Sequence, residues 1–226
     1  MMLSEILNRL YRHTVLGVGV VALLAGCADH PAPRIGVLPD RVELTAVPFY
    51  RGDNDQGAPT ALAALLRDRG VNVTPGLVAP YLKLPASAPV LDRSLEEAAR
   101  QYGLVVYPVD GQFPALLTQV AAGNPVLLRY RTGTLWGSDQ YALLVGYDRF
   151  RSHVLLRSGN QRRQLMSFSG FVSAWQAGGN WAVLAQAPGR LPAEVDPARW
   201  REAAARLGAA GQEQAAAKAL SALGGR

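Results

Sequence analysis

The hydropathy pattern opens with one apolar run, Thr14 to Leu24, preceded by Arg9 and Arg12 and closed by Leu24-Ala25-Gly26-Cys27. Beyond it, residues 28–41 carry three prolines and read as a tether. Order is expected to begin with a short strand over Val42–Tyr50, followed by a polar loop from Arg51 to Gly57. A helix is predicted from about Pro59, which suits the first helical position, to Gly70, which suits the end. Thr74-Pro75 starts another short helix, and Pro80 to Pro89 reads as irregular. Asp92 is expected to cap a helix carrying Leu95, Ala98 and Ala99 and ending at Gly103. Strands then dominate: Leu104–Tyr107, Pro125–Tyr130, Gln140–Tyr147, His153–Arg157, Gln164–Phe168 and Trp181–Leu184. Asp148–Ser152 reads as a hairpin turn, and helices are expected over Phe113–Ala122 and Phe171–Gln176. Helices first and an antiparallel sheet afterwards predict an α+β fold. After a linker over 190–196, an alanine-rich tail predicts a helical hairpin, with Trp200, Ala204 and Leu207 on one face and a turn over Gly208–Gln212. A lone helix pair cannot bury its own apolar face, so it is expected to dock on the domain or on a partner.

Composition narrows the class. The chain has 226 residues, 49% hydrophobic and 18% charged, which suits a globular protein rather than a disordered one. Its net charge of +6 is mostly arginine without lysine blocks. That suits contact with an anionic envelope surface. No nucleic-acid motif accompanies the charge, so nucleic acid is not an expected partner.

Residues 1–26 have the parts of an export signal: positive charge, an apolar stretch too short to span comfortably at about 20 residues, and small residues before a cysteine. Cys27 is the one cysteine of the chain. Its context predicts lipidation at Cys27 and a membrane-held protein, since stable anchoring takes more than one acyl chain. Ala28 rather than aspartate follows, which by the sorting rule of Gram-negative lipoproteins predicts the outer membrane, facing the periplasm. The expected organisation is thus a signal peptide over 1–26, a tether over 27–41, a domain over 42–189, and a linker with a helical hairpin over 190–226.

Two motifs carry a family resemblance. Val47-Pro48-Phe49-Tyr50, a polar loop, and Gln56-Gly57-Ala58-Pro59 before an apolar helix resemble the start of a C39-like, papain-type cysteine peptidase domain. Gln140-Tyr141-Ala142-Leu143-Leu144-Val145-Gly146-Tyr147-Asp148 resembles the family's histidine-bearing strand. The end of the domain and its alanine-rich tail resemble a lipoprotein subgroup in which tetratricopeptide repeats follow. The resemblance implies a papain-like fold with helices packed on an antiparallel sheet, followed by one tetratricopeptide-like hairpin. It also implies where the chemistry would sit. Gly57 stands at the position of the nucleophilic cysteine, Gln140 at that of the histidine, and Gly52 at that of the oxyanion-donating glutamine. Ser158 is the nearest match to the residue that orients the histidine. A thiolate at a helix N-terminus paired with imidazole is the reactive unit of such enzymes, and an amide cannot replace the imidazole as a base. No catalytic residue is therefore expected, and the domain reads as an inactive peptidase.

Other residues offer little to restore the chemistry. His30 lies in the tether and His153 at a hairpin; Thr60 and Ser138 are hydroxyls without a motif-matched histidine. No metal site is read, because no His or Cys pair has ligand spacing, and no cofactor is expected. Arg129 and Arg131 share one face of a strand and form either a basic wall beside the old cleft or a solvated edge. Arg149, Arg151, Arg157, Arg162 and Arg163 read as a basic patch. Trp136, just before Gln140, is a contact residue or a core plug, and Trp175 and Trp181 read as core. The cleft-binding candidates are Gln56, Trp136, Gln140 and Tyr141. The expected function is binding of a peptide or protein partner in the envelope. The alternatives are a hydrolase with a different nucleophile, or a scaffold acting through the hairpin. Replacing Cys27 by Ser should move the protein from the membrane fraction to the soluble periplasm or stall its processing, read by fractionation and mass; an unchanged mass in the membrane fraction would contradict lipidation.

Overall fold

The computed structural model describes residues 38–52, 57–133 and 137–224. The export segment, Cys27, Gln56 and Trp136 lie outside the described residues. Residues 35–226 form one compact unit. Its elements are β1 (Arg41–Glu43), α1 (Gly57–Asp68), α2 (Pro75–Val78) with a 3₁₀ turn over Ala79–Leu82, α3 (Ala88–Gln101) and β2 (Val105–Pro108). They continue as α4 (Phe113–Ala121), β3 (Val126–Thr132), β4 (Ser138–Asp148), β5 (His153–Ser158), β6 (Gln161–Ser167) and α5 (Phe168–Ala177). β7 (Ala182–Gln186), α6 (Pro197–Ala209) and α7 (Glu213–Gly224) complete the chain. The fold is α+β, with a seven-stranded antiparallel sheet in which six strands run in the order β2-β7-β3-β4-β5-β6 and β1 pairs with β4 off that path.

Alternation along the strands divides the interior into two cores. Leu127, Tyr141, Leu143, Val145 and Val183 face α1 and α3. Leu128, Tyr130, Ala142, Leu144 and Leu184 face α4, α5 and the C-terminal helices. A sheet covered on both faces needs apolar side chains of both parities, which is why β4 reads as an almost unbroken apolar run. Both cores are assembled from described residues of the 35–226 unit, so this unit holds what it needs to fold.

β1 pairs with the last residues of β4, Gly146 to Asp148, beyond the point where β3 ends. A Cβ at Gly146 would lie 2.5 Å from the Val42 carbonyl oxygen. Glycine is therefore required there for β1 to approach. β1 is shorter than the strand expected over Val42–Tyr50, because Gly146 to Asp148 offer only a short edge. The helix expected from Pro59 begins two residues earlier, at Gly57. Asp92, expected as a cap, lies buried within α3, whose first residues are Ala88 and Pro89. Its carboxylate is held by tertiary partners described below.

The C-terminal hairpin docks on the domain. Trp200, Ala204 and Leu207 are buried in the same core as Tyr107 and Leu184. The Trp200 ring packs against Tyr107, and its Nε1 donates to the Ala219 carbonyl at 2.7 Å, tying α6 to α7. The apolar face that a lone helix pair cannot cover is thus covered by β2. Trp200→Ala should destabilise the unit by about 3–5 kcal/mol, by cavity formation and a stranded carbonyl. Chemical denaturation of wild type and variant measures it, and a change below about 1 kcal/mol would show that the hairpin is not part of this core.

Candidate functional site

The site is built where α1 meets β4. α1 begins at Gly57, and its first ten residues are buried. The helix starts beyond the end of β5, so its first residue reaches the edge of β4. A Cβ on Gly57 would lie 3.6 Å from the Tyr141 carbonyl oxygen and 3.9 Å from its nitrogen, an ordinary contact distance. The Ser158 hydroxyl donates to that same carbonyl oxygen at 3.4 Å. Gly52 N–H donates to the Gly159 carbonyl at 3.3 Å. The fold therefore gathers Gly52, Gly57, the start of β4 and Ser158 into one neighbourhood, from segments distant in sequence.

The polar side chains described there have partners of their own. Gln140 pairs across the ladder with Tyr130 and so shares its face of the sheet. Its Nε2 donates to the Ser138 hydroxyl at 3.0 Å. The Ser158 hydroxyl is also 3.0 Å from the Tyr130 hydroxyl, which in turn donates to Gln164 at 3.1 Å. Thr60 Oγ1 donates to the Gly57 carbonyl at 3.0 Å within the first turn of α1. His153 stands at the far end of β5 from Ser158, opposite Asp148, with its Nδ1 on the Arg151 carbonyl. Five rises of about 3.3 Å along the strand separate it from Ser158.

On the α1 face, an open groove of about 450 Å³ runs past the start of α1. Ala58, Leu84, Pro85, Ala86, Leu91, Asp139 and Tyr141 line it. Of the four residues expected in the cleft, Tyr141 lines this groove, and Gln56 and Trp136 lie outside the described residues. Gln140 is not on its wall. Strand alternation turns Asp139 and Tyr141 toward α1 and Gln140 the other way. Asp139 was missed in the sequence; its one signal was being a carboxylate two residues before Tyr141 on the same face.

Behind the groove wall lies a knot of charges. The Tyr141 hydroxyl donates to Asp92 at 2.7 Å, and also lies 3.2 Å from the Ala88 carbonyl. Arg129 pairs with Asp92 at 3.1 Å and with Asp139 at 3.5 Å. Arg131 holds Asp139 through two nitrogens, at 3.2 and 3.0 Å. Two carboxylates neutralise Arg129 and Arg131, so they form no basic wall; Arg129 is largely buried, and Arg131 lies at the solvated end of β3 as one of the two readings expected. Burial pushes the Asp92 carboxyl up from its ordinary range, against the Tyr141 hydrogen bond and the Arg129 charge, which pull it down. Burial and the adjacent Asp92 push the Tyr141 phenol up, so it stays protonated and donates. Trp181 edges onto Tyr141 and donates through Nε1 to Glu96 at 3.2 Å. It is half-buried, whereas Trp175 is fully buried.

The basic patch expected along β5 and β6 is also partly spent. Arg157 is buried, and its Nη2 donates to the Leu44 and Thr45 carbonyls at 3.3 Å. Arg163 pairs with Glu43 at 2.6 Å, and Arg149 with Asp40 at 3.4 Å.

An acid whose folded pKa lies above its unfolded value of about 3.9 binds its proton more tightly in the native state. Asp92 therefore favours folding below that value, and its contribution falls as pH rises above about 4. Denaturant titrations of wild type and Asp92→Asn across this range should show the wild type losing stability relative to the variant as pH rises. Parallel curves would contradict this reading of the knot.

No family model matches the sequence, and no curated protein is significantly similar to it. Solved structures do match. A Bacillus anthracis protein described as a C39-like peptidase superposes with a TM-score of 0.52 at 16% identity, over 65% of this chain and 98% of its own. Xylellain, a cysteine protease from Xylella fastidiosa, superposes with a TM-score of 0.50 at 13% identity, over 67% of this chain and 87% of its own. The peptidase domain of Streptococcus ComA, a bifunctional ABC transporter, gives a TM-score of 0.47 at 17% identity, over 61% of this chain and 96% of its own. With its antiparallel sheet, its buried α1 and the meeting of Gly57 with the start of β4, the chain has the fold of the C39-like, papain-type cysteine peptidases.

Proposed function

We propose that this protein is an envelope lipoprotein whose C39-like domain binds an extended peptide segment without cleaving it. The observation that carries the reading is Gly57. It occupies the first position of α1, where the helix N-terminus would stabilise a thiolate, and it has no side chain. The one cysteine of the chain is Cys27, which on this reading carries lipid. The position matched to the base holds Gln140, whose amide is bound to Ser138 and has no proton-accepting nitrogen. Acyl transfer needs nucleophile, base and oxyanion donors acting as a unit, so the remaining hydroxyls do not substitute. The adjacent groove is open, and its apolar wall of Leu84, Pro85 and Leu91 offers seats for the side chains of an extended segment. The docked helical hairpin argues against the scaffold alternative, since its apolar face is already covered by β2.

The experiment is a cleavage assay on a peptide library under reducing conditions. Wild type should give no turnover. The space at Gly57 accommodates a side chain, so Gly57→Cys should fold and present a titratable thiol, again with little turnover. Adding Gln140→His tests whether the backbone still supports chemistry. Wild-type cleavage that survives removal of contaminating proteases would sink the reading.

A further inference from the structure

Among the described residues, the most exposed large apolar side chain sits far from the groove. Phe150 is 84% exposed at the tip of the β4–β5 hairpin, between Arg149 and Arg151. Leu165, 60% exposed, lies on the neighbouring β6. Between hairpin and β6 is a cleft of about 120 Å³ whose lining includes Arg41, Arg151, Arg163 and Leu165 together with the carboxylates Glu43 and Asp148. Glu43 is spent on Arg163 and Asp40 on Arg149, whereas among the described residues no carboxylate lies within ion-pair distance of Arg41 or Arg151. The face thus combines an aromatic and a leucine with unneutralised guanidinium groups. Single exposed apolar side chains are ordinary on a protein surface, so it is the company of cationic groups around Phe150 that points to a partner.

The position of this face says what covers it. Arg149 N–H donates to the Asp40 carbonyl at 2.8 Å, and its guanidinium donates to the Leu38 carbonyl at 2.6 Å. The hairpin tip is therefore fastened to the place where the chain from Cys27 enters the domain. About eleven residues separate Cys27 from Leu38, which reach on the order of 40 Å at full extension. On the lipid-anchored reading, the chain from Cys27 thus enters the domain beside this face.

We infer that the surface formed by Phe150, Leu165, Arg41 and Arg151 docks on the membrane. Phe150 enters the headgroup–acyl boundary and the arginines meet anionic phospholipid headgroups. Aromatic side chains favour that boundary, and each arginine near an anionic surface adds about fivefold in partitioning. The inference rests on the lipid-anchored reading for its orientation and supplies the second membrane signal beside the acyl chains. Its consequence is a fixed pose, with the domain held by the hairpin tip.

The test uses residues 35–226, which lack Cys27, so failure here and failure of lipidation are read separately. Sedimentation with vesicles of equal parts phosphatidylethanolamine and phosphatidylglycerol should show salt-sensitive binding that phosphatidylcholine vesicles do not support. Phe150→Ser and Arg151→Gln should each weaken it about fivefold, with unchanged circular dichroism, since both side chains are exposed. Leu220→Ser, an exposed apolar position on α7, should leave it unchanged. No binding to the anionic vesicles, binding indifferent to Phe150→Ser and Arg151→Gln, or an equal loss with Leu220→Ser would overturn the proposal.

Discussion

Everything in this fold hangs on β4. It is paired on both edges, with β3 and β1 on one side and β5 on the other, and it is covered on both faces. Such a strand can place no polar side chain along its middle without a partner. Its sequence accordingly runs Tyr141 to Val145 without a charge, and polar residues return only at its ends. The candidate site is at one of those ends, where α1 abuts the strand edge beside Tyr141. The other end is the hairpin tip with Phe150. One rigid strand thus sets the groove and the proposed membrane face at opposite ends.

Alternation along that strand also decides which residues can act. Asp139 and Tyr141 reach the groove, and Gln140 between them cannot do so without slipping the register by one residue and turning the core face outward. What the groove offers is shape and a neutralised polar rim. Asp92, Arg129, Asp139 and Arg131 lie in a chain of alternating charge, closed by the Tyr141 hydroxyl. A buried network of this kind adds little net stability when compared with apolar packing, but breaking one member leaves a charge stranded. Its physical role here is to pin α3, and with it Leu91 on the groove wall, to β3 and β4. A pinned wall suits a site that works by complementarity, because less ordering remains to be done on binding.

Much of this was legible in the chain. Pro59, Pro75 and Gly70 marked helix ends for steric reasons that hold in any context. The apolar periods of β4 and α1 named the elements that meet. The two motifs around Gly57 and Gln140 placed the site through their order and spacing, and the structure brings Gly57 beside Tyr141. What could not be read was tertiary pairing. Asp92 looked like a cap because Asp caps helices locally; its partners on β3 and β4 are far away in sequence. For the same reason Arg129 and Arg131 looked free, and Arg157 looked like surface although backbone carbonyls hold it inside. Facing is lost in a motif match as well: Gln140 matched by position, whereas the groove is reached by its neighbours.

The central claim is that a C39-like groove has been kept for binding and not for hydrolysis. The most direct measurement is nuclear magnetic resonance of the isotope-labelled 35–226 unit titrated with a mixture of unlabelled apolar peptides, followed by mass analysis of the same sample. The account predicts amide shifts concentrated at Ala58, Ala86, Leu91 and Tyr141, with every peptide recovered intact. New peptide termini in that sample, or shifts confined to surfaces away from the groove, would contradict it.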